Sequence, residues 1–196
     1  MKILIGTTNK NKFDQFSHIF SRLTQEIELL SLLDLDIDDD VREDGETLLE
    51  NAKKKAKFFA QKSGFITLSD DTGLFVDALG GAPGINAKRW HTGTDRDRCL
   101  KLIEKLRDIA EKERTCRYIG AIAVYDPISA KFFEHQSSVE GYITDDFRGE
   151  AIFGYDQIFH SSHFDKNYAQ LSEDEKMQLS HRGLGVDEFL KSIGKI

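Results

Sequence analysis

Short, continuous apolar runs and stripes of apolar residues at helical spacing take turns along this chain. Residues 2–6 read as a buried strand, after which Phe13, Phe16, Ile19, Phe20 and Leu23 recur at intervals of three and four, predicting a helix. Thr47 and Glu50 form a capping-box signature, which predicts a helix from there to about Ser63. Residues 66–69 and 74–78 predict two short strands around a turn, and Cys99, Leu102, Ile103, Leu106 and Ile109 mark another amphipathic helix. Residues 118–125 are nearly all apolar, which suits a central strand buried on both faces. Phe132-Phe133 and residues 139–143 add strands, Ser172 and Glu175 cap a late helix, and residues 186–193 give a last one. The alternation predicts an α/β fold with a mixed β-sheet and flanking helices, as one domain over residues 1–196.

Composition narrows the function classes. The chain has 196 residues, 39% hydrophobic and 31% charged, as a water-soluble globular protein of this size requires. Its apolar runs all fall short of a membrane span. The start of the chain has one basic residue and a short apolar stretch, unlike a secretory signal, so a cytoplasmic location is expected. Cys99 and Cys116 form neither a disulfide framework nor a metal-ligand spacing, and both read as packing residues. The net charge is -7 with no basic stripe, which argues against a nucleic-acid polymer as partner. A polyanionic small molecule remains open, provided lysines gather locally or a divalent cation is recruited. Residues 34–40 carry the main acidic run and read as a solvated loop.

Several segments offer that chemistry. Thr7-Thr8-Asn9-Lys10-Asn11-Lys12 joins the first strand to the first helix. Such a turn presents backbone N–H groups and the positive end of a helix dipole to phosphate, and Lys12 can reach further phosphate oxygens. It is not a Walker motif, and an ordinary polar cap has the same residue types. Ser69-Asp70-Asp71-Thr72-Gly73-Leu74 places adjacent carboxylates where Mg²⁺ could be held with substrate phosphates. Alternation along a strand lets one of the two face a site, and a turn opened by Asp and closed by Gly is the plainer reading. Glu43 could add a carboxylate if the fold brings it near. On the helix after Thr47, Lys53 and Lys55 lie at the two edges of the apolar stripe, and periodicity does not choose between them. Gly80-Gly81-Ala82-Pro83-Gly84 is a rigid loop. Nearer the C-terminus stand Phe153-Gly154-Tyr155-Asp156, then Lys176, then Ser180-His181-Arg182. An aromatic can stack on a base, Asp can accept from a purine edge, and His and Arg can donate to a ring carbonyl.

Taken in order, these motifs resemble the inosine triphosphate pyrophosphatase family over nearly the whole chain. The resemblance rests on Thr7 to Lys12, Glu50-Asn51-Ala52 with Lys55, Asp70 to Leu74 with the glycine loop, Phe153 to Asp156, and Ser180-His181-Arg182. It implies a central twisted mixed sheet, two lobes enclosing a nucleotide-binding cleft, and a homodimer. It also implies roles: Thr7, Thr8, Asn9, Lys12, Lys55 and Lys176 on the phosphates, with Lys55 preferred to Lys53. Glu43 and Asp71 would hold Mg²⁺, with Asp71 also orienting the attacking water. Thr72, Gly154 and Tyr155 would line the substrate site, Phe153 would stack on the purine, and Asp156, His181 and Arg182 would read its edge. The chain departs from the family pattern at Thr8, Thr72 and Gln157, and residues 160–165 lack the usual Pro and Gly. The implied reaction is hydrolysis of ITP, dITP or XTP to the monophosphate and pyrophosphate. A donor-lined pocket would reject the 6-amino group of ATP, whereas rejection of GTP does not follow from these residues. Two other readings fit the same residues: a pyrophosphatase for other modified nucleotides, and a silent nucleotide sensor.

Overall fold

A computed structural model of the chain describes residues 1–150 and 153–196. The strands are β1 (Lys2–Ile5), β2 (Glu28–Leu30), β3 (Thr67–Val76), β4 (Pro83–Gly84), β5 (Thr115–Asp126), β6 (Lys131–Ile143), β7 (Phe159–Ser161) and β8 (Lys166–Asn167). The α-helices are α1 (Lys10–Leu23), α2 (Leu48–Ser63), α3 (Asp95–Leu106), α4 (Glu173–Leu179) and α5 (His181–Ser192). Hydrogen-bonded order along the sheet is β2-β1-β3-β5-β6-β7-β8, with β4 on β3. The sheet is mixed: β1 runs parallel to β2 and β3, while the β3–β4, β6–β7 and β7–β8 pairs are antiparallel.

The chain forms two compact units, one of Met1–Asp71, Gly120–Ser137 and Met177–Ile196, the other of Thr72–Ile119 and Ser138–Lys176. In the first unit, side-chain alternation along β1 builds two apolar layers. Ile3 and Ile5 pack with Phe16, Ile19 and Phe20 of α1 and with Val186, Phe189 and Leu190 of α5. Leu4 points the other way, to Leu32, Ile37, Val41 and Phe59 of α2. Each fully buried side chain of this size contributes about 1.5–3 kcal/mol, so the β1–α1 and β3–α2 junctions are firmly held. In the second unit α3 buries Cys99, Leu102 and Leu106, and Tyr118, Phe159 and Tyr168 form an aromatic cluster.

The predicted helix at Thr47 is present to the residue. Thr47 and Glu50 complete the capping box, and Gly64 ends α2 in the left-handed conformation. Other boundaries differ. Residues 67–76 form one strand, not two around a turn, because Gly73 marks a close approach rather than a bend. A Cβ there would meet the Gly84 carbonyl oxygen at 2.6 Å. β6 likewise runs unbroken through Glu134-His135-Gln136, where exposed and half-buried residues alternate. α3 stops at Leu106, short of Ile109, and α5 begins at His181 because Ser180 accepts from the Gly183 N–H. The short edge strand β2 has no sequence signal of its own. Both cysteines are buried and free. Burial pushes the Cys99 thiol up to about 12 and the Cys116 thiol higher, so packing is their chemistry.

Candidate functional site

In the first unit the β1–α1 turn is closed by its own side chains. Thr7 Oγ1 accepts from the Asn9 N–H at 3.2 Å, and Asn9 Oδ1 caps α1 by accepting from the Lys12 N–H at 3.2 Å. Thr8 is exposed at the tip. Ser69 Oγ donates to the Gly6 carbonyl at 3.0 Å and fixes β3 against this turn. The next residue, Asp70, is 1% exposed and gathers cations. Its Oδ1 lies 3.1 Å from Lys12 Nζ, and its Oδ2 lies 2.6 Å from an Arg182 terminal nitrogen and 3.3 Å from His181 Nε2. Arg182 also donates to Gln15 Oε1 at 2.9 Å and stands over the Phe16 ring. His181 fits because residue 120 is glycine: a Cβ there would meet the imidazole at 2.0 Å.

Burial alone would raise the Asp70 pKa, but Arg182, Lys12 and the His181 hydrogen bond outweigh it and hold the group well below the ordinary value. Burial, with Lys55 and Arg182 nearby, lowers the Lys12 pKa against the pull of Asp70 and Asp71. Burial and Arg182 lower His181 to about 4, so its imidazole is neutral at pH 7 and donates Nε2–H to Asp70. This shift has a consequence for stability. Between the unfolded value of 6.5 and about 4, the unfolded chain binds a proton that the folded chain does not, so stability falls as pH falls through that window. The expected loss is up to about 3 kcal/mol. Urea unfolding at pH 7, 5.5 and 4.5 measures it, and His181→Gln should flatten the slope; an unchanged slope would assign it elsewhere.

Asp71 goes to different partners. It is buried, and its Oδ2 accepts from Asn51 Nδ2 at 3.0 Å, while Asn51 Oδ1 accepts from the Gly45 N–H at 2.8 Å. Lys55 Nζ, one turn further along α2, donates to Glu43 at 2.7 Å and to the Asp70 carbonyl at 2.7 Å. The loop carrying Glu43 and the strand carrying Asp71 are thereby tied to one helix. Burial raises the Asp71 pKa, Glu43 adds to this, and Lys55, Lys12 and Asn51 oppose it. Lys53 instead pairs with Glu134 and lies 4.8 Å over the Phe132 ring.

The second unit holds Thr72, Phe153-Gly154-Tyr155-Asp156 and Lys176. The loop is fastened residue by residue. Gly154 N–H donates to Asp95 at 2.8 Å, Cys99 Sγ reaches the Gly154 carbonyl at 3.4 Å, and Tyr155 Oη donates to the Ala87 carbonyl at 2.9 Å. The Tyr155 N–H donates to Tyr118 Oη at 3.1 Å, and Tyr118 Oη lies 3.3 Å from Asp156 Oδ1. Lys176 Nζ stands 3.9 Å from Asp156 Oδ2 and 3.6 Å from Glu173. Phe153 is half-buried at the head of the loop.

Of the sequence-predicted residues, the first unit gathers Lys12, Lys55, His181 and Arg182 on Asp70, ties Glu43 and Asp71 in through Lys55 and Asn51, and closes the adjacent turn with Thr7 and Asn9. His181 and Arg182 are engaged with Asp70 there. In the sequence, Gln15 and Tyr118 have no assigned role, and Asn51 stands within a motif without one. Asn51 carried a signal, since it is a weak helix former placed beside the apolar stripe of α2. Tyr118 looked like any strand aromatic.

A cation-lined carboxylate pair beside a strand-to-helix turn, on a mixed α/β sheet, is an arrangement chemically able to receive a polyanion. The chain belongs to the Ham1 family, whose model matches residues 3–192. It is 36% identical over 184 residues to a dITP/XTP pyrophosphatase of Thermoanaerobacter pseudethanolicus, covering 93% of this chain and 91% of that protein. Among solved structures it is similar to the Ham1 protein of Staphylococcus aureus, with a TM-score of 0.83 at 32% identity over 99% of this chain and 98% of that one. A Ham1 protein of Coxiella burnetii gives a TM-score of 0.85 at 28% identity, with both chains fully covered.

Proposed function

We propose that this protein hydrolyses non-standard purine nucleoside triphosphates, ITP, dITP and XTP, to the monophosphate and pyrophosphate, clearing them from the nucleotide pool. The observation that carries this reading is the cluster of Lys12, Lys55, Glu43 and Asp71 beside the β1–α1 turn. It occurs in a chain whose relatives include a dITP/XTP pyrophosphatase. Thr7, Thr8, Asn9, Lys12, Lys55 and Lys176 hold the phosphates in this reading; Phe153, Gly154, Tyr155, Asp156 and Thr72 contact the nucleoside. His181 and Arg182 are assigned to the base edge, Arg182 as donor and His181 through Nδ1, since its Nε2–H is held by Asp70.

Among the described residues no group of three or more His, Cys, Asp or Glu side chains forms a metal cage. Glu43 and Asp71 are nevertheless the donor set Mg²⁺ uses when phosphates supply the remaining ligands. When bound there, the ion supplies charge neutralisation to the anhydride. Asp71 orients a water toward the α-phosphorus; the new P–O bond forms as the α–β anhydride breaks, and pyrophosphate leaves. Burial raises the proton affinity of Asp71 and so strengthens it as acceptor of the water proton. Lys12 and Lys55 stabilise the charge that builds on the departing phosphates. The same reading makes the protein a cytoplasmic homodimer; no helix among the described residues is long and apolar enough to cross a membrane.

The test is pyrophosphate release from ITP, dITP, XTP, GTP and ATP, with Mg²⁺ and with EDTA. The expected result is Mg²⁺-dependent release, with kcat/KM for ITP and XTP about a hundredfold above ATP. Equal use of ATP would remove the base assignment. Binding without release would leave a sensor.

A further inference from the structure

The side chain of Asp156 does not stand alone, and its neighbour answers a question the motif leaves open. Hypoxanthine, xanthine and guanine all carry an N1–H donor, where adenine has an acceptor, so a carboxylate on that edge selects 6-oxopurines as a class. Guanine adds a 2-amino donor beside N1–H, and those two donors match the two oxygens of a carboxylate, as a guanidinium does. An unencumbered aspartate would therefore hold GTP at least as well as ITP.

We propose that Tyr118 is the residue that sets the protein against guanine, by holding Oδ1 of Asp156 and withdrawing it from two-oxygen pairing. This rests on the assignment of Asp156 to the purine edge. The Tyr118 hydroxyl accepts from the Tyr155 N–H at 3.1 Å, so its single proton is directed to Asp156 Oδ1 at 3.3 Å. The ring is fixed between Phe159 and Tyr168, with centroids 4.6 and 5.7 Å away. The adjoining Gly154 is pinned by Asp95 and Cys99. Turning the carboxylate to line both oxygens up with two parallel donors costs the tyrosine hydrogen bond, whereas Oδ2, 3.9 Å from Lys176 Nζ, keeps a lone pair for a single N1–H. A purine with one donor on this edge is unaffected, whereas guanine leaves its amino group without an acceptor, which costs affinity.

Tyr118→Phe tests this, because it removes the hydroxyl and keeps the ring in its aromatic cluster. The ratio of kcat/KM for GTP to that for ITP should rise about tenfold, chiefly through the KM for GTP, with the thermal midpoint little changed. Loss of a merely structural contact would lower both substrates together. In an Asp156→Asn background the same change should leave the GTP-to-ITP ratio where it was, since the two-oxygen acceptor is already gone. A GTP-to-ITP ratio that stays or falls in Tyr118→Phe overturns the proposal, as does a gain that persists without the Asp156 carboxylate. Failure of the wild type to hydrolyse ITP would instead remove the underlying reading, and it is seen before either variant is made.

Discussion

Asp71→Asn is expected to lower pyrophosphate release from ITP by about a thousandfold while leaving the fold intact. The substitution keeps the shape of the side chain and can still accept the Asn51 hydrogen bond through its amide oxygen. In the proposed mechanism it removes a negative charge that would hold Mg²⁺ and the acceptor for the water proton. The effect on stability has the opposite sign. Burial raises the Asp71 pKa, so folding opposes its ionisation, and this penalty develops as pH rises from the unfolded value of 3.8 toward the folded one. The variant should thus melt at the same temperature as the wild type or higher at pH 7. Steady-state kinetics and thermal unfolding on one preparation separate the two effects. Near-normal turnover would end the assignment of Asp71 as the water-orienting acid.

Asp70→Ala should give the reverse profile, a protein that loses stability first. Lys12 and Arg182 are both held against this carboxylate with little solvent. Deleting it leaves two buried cations facing each other beside a neutral imidazole, and breaking a buried ion pair on one side costs about 3–5 kcal/mol. For a chain of this length that is a drop of about 10 °C in melting temperature. The acid limb should change too. Asp70 has a depressed pKa, so its contribution is present above the unfolded value of 3.8 and is lost as pH falls below it toward the folded one. Wild type and variant should therefore converge in stability at low pH. Parallel curves down to pH 2 would show that the cluster is held together by packing rather than by this charge.

The ease of reading differed along the chain according to where the information resides. Helix α2 was legible to its last residue because its cap, its apolar stripe and its terminal glycine are local properties. The division at Gly73 was not, since the reason for that glycine is the backbone of Gly84, which pairing alone brings near. The same holds for the site. The turn at Thr7 to Lys12 and the carboxylates at Asp70 and Asp71 are visible by residue type, but an ordinary cap and an Asp–Gly turn share those types, and it is their joint order along the chain that marks a site. The ambiguity between Lys53 and Lys55 is a matter of which helix edge meets the Glu43 loop, and periodicity carries no information on that. Asp70 looked equivalent to Asp71 in the sequence; their partners differ because successive strand residues point to opposite sides. Tyr118 acts through a residue 38 positions away, beyond any local pattern.

Helix α2 has one more consequence. Asn51 and Lys55 are separated by a single turn, and between them they fix the Glu43 loop and the Asp70–Asp71 strand. The helix therefore acts as a ruler, with its pitch of about 5.4 Å as the unit of length. Adding or deleting one residue between Asn51 and Lys55 would rotate one mark about 100° from the other and separate the two carboxylates. Length changes ahead of Glu43 or beyond Gly64 would leave the graduations untouched. Evolution can lengthen the chain at either end of this ruler, but it cannot recut the scale.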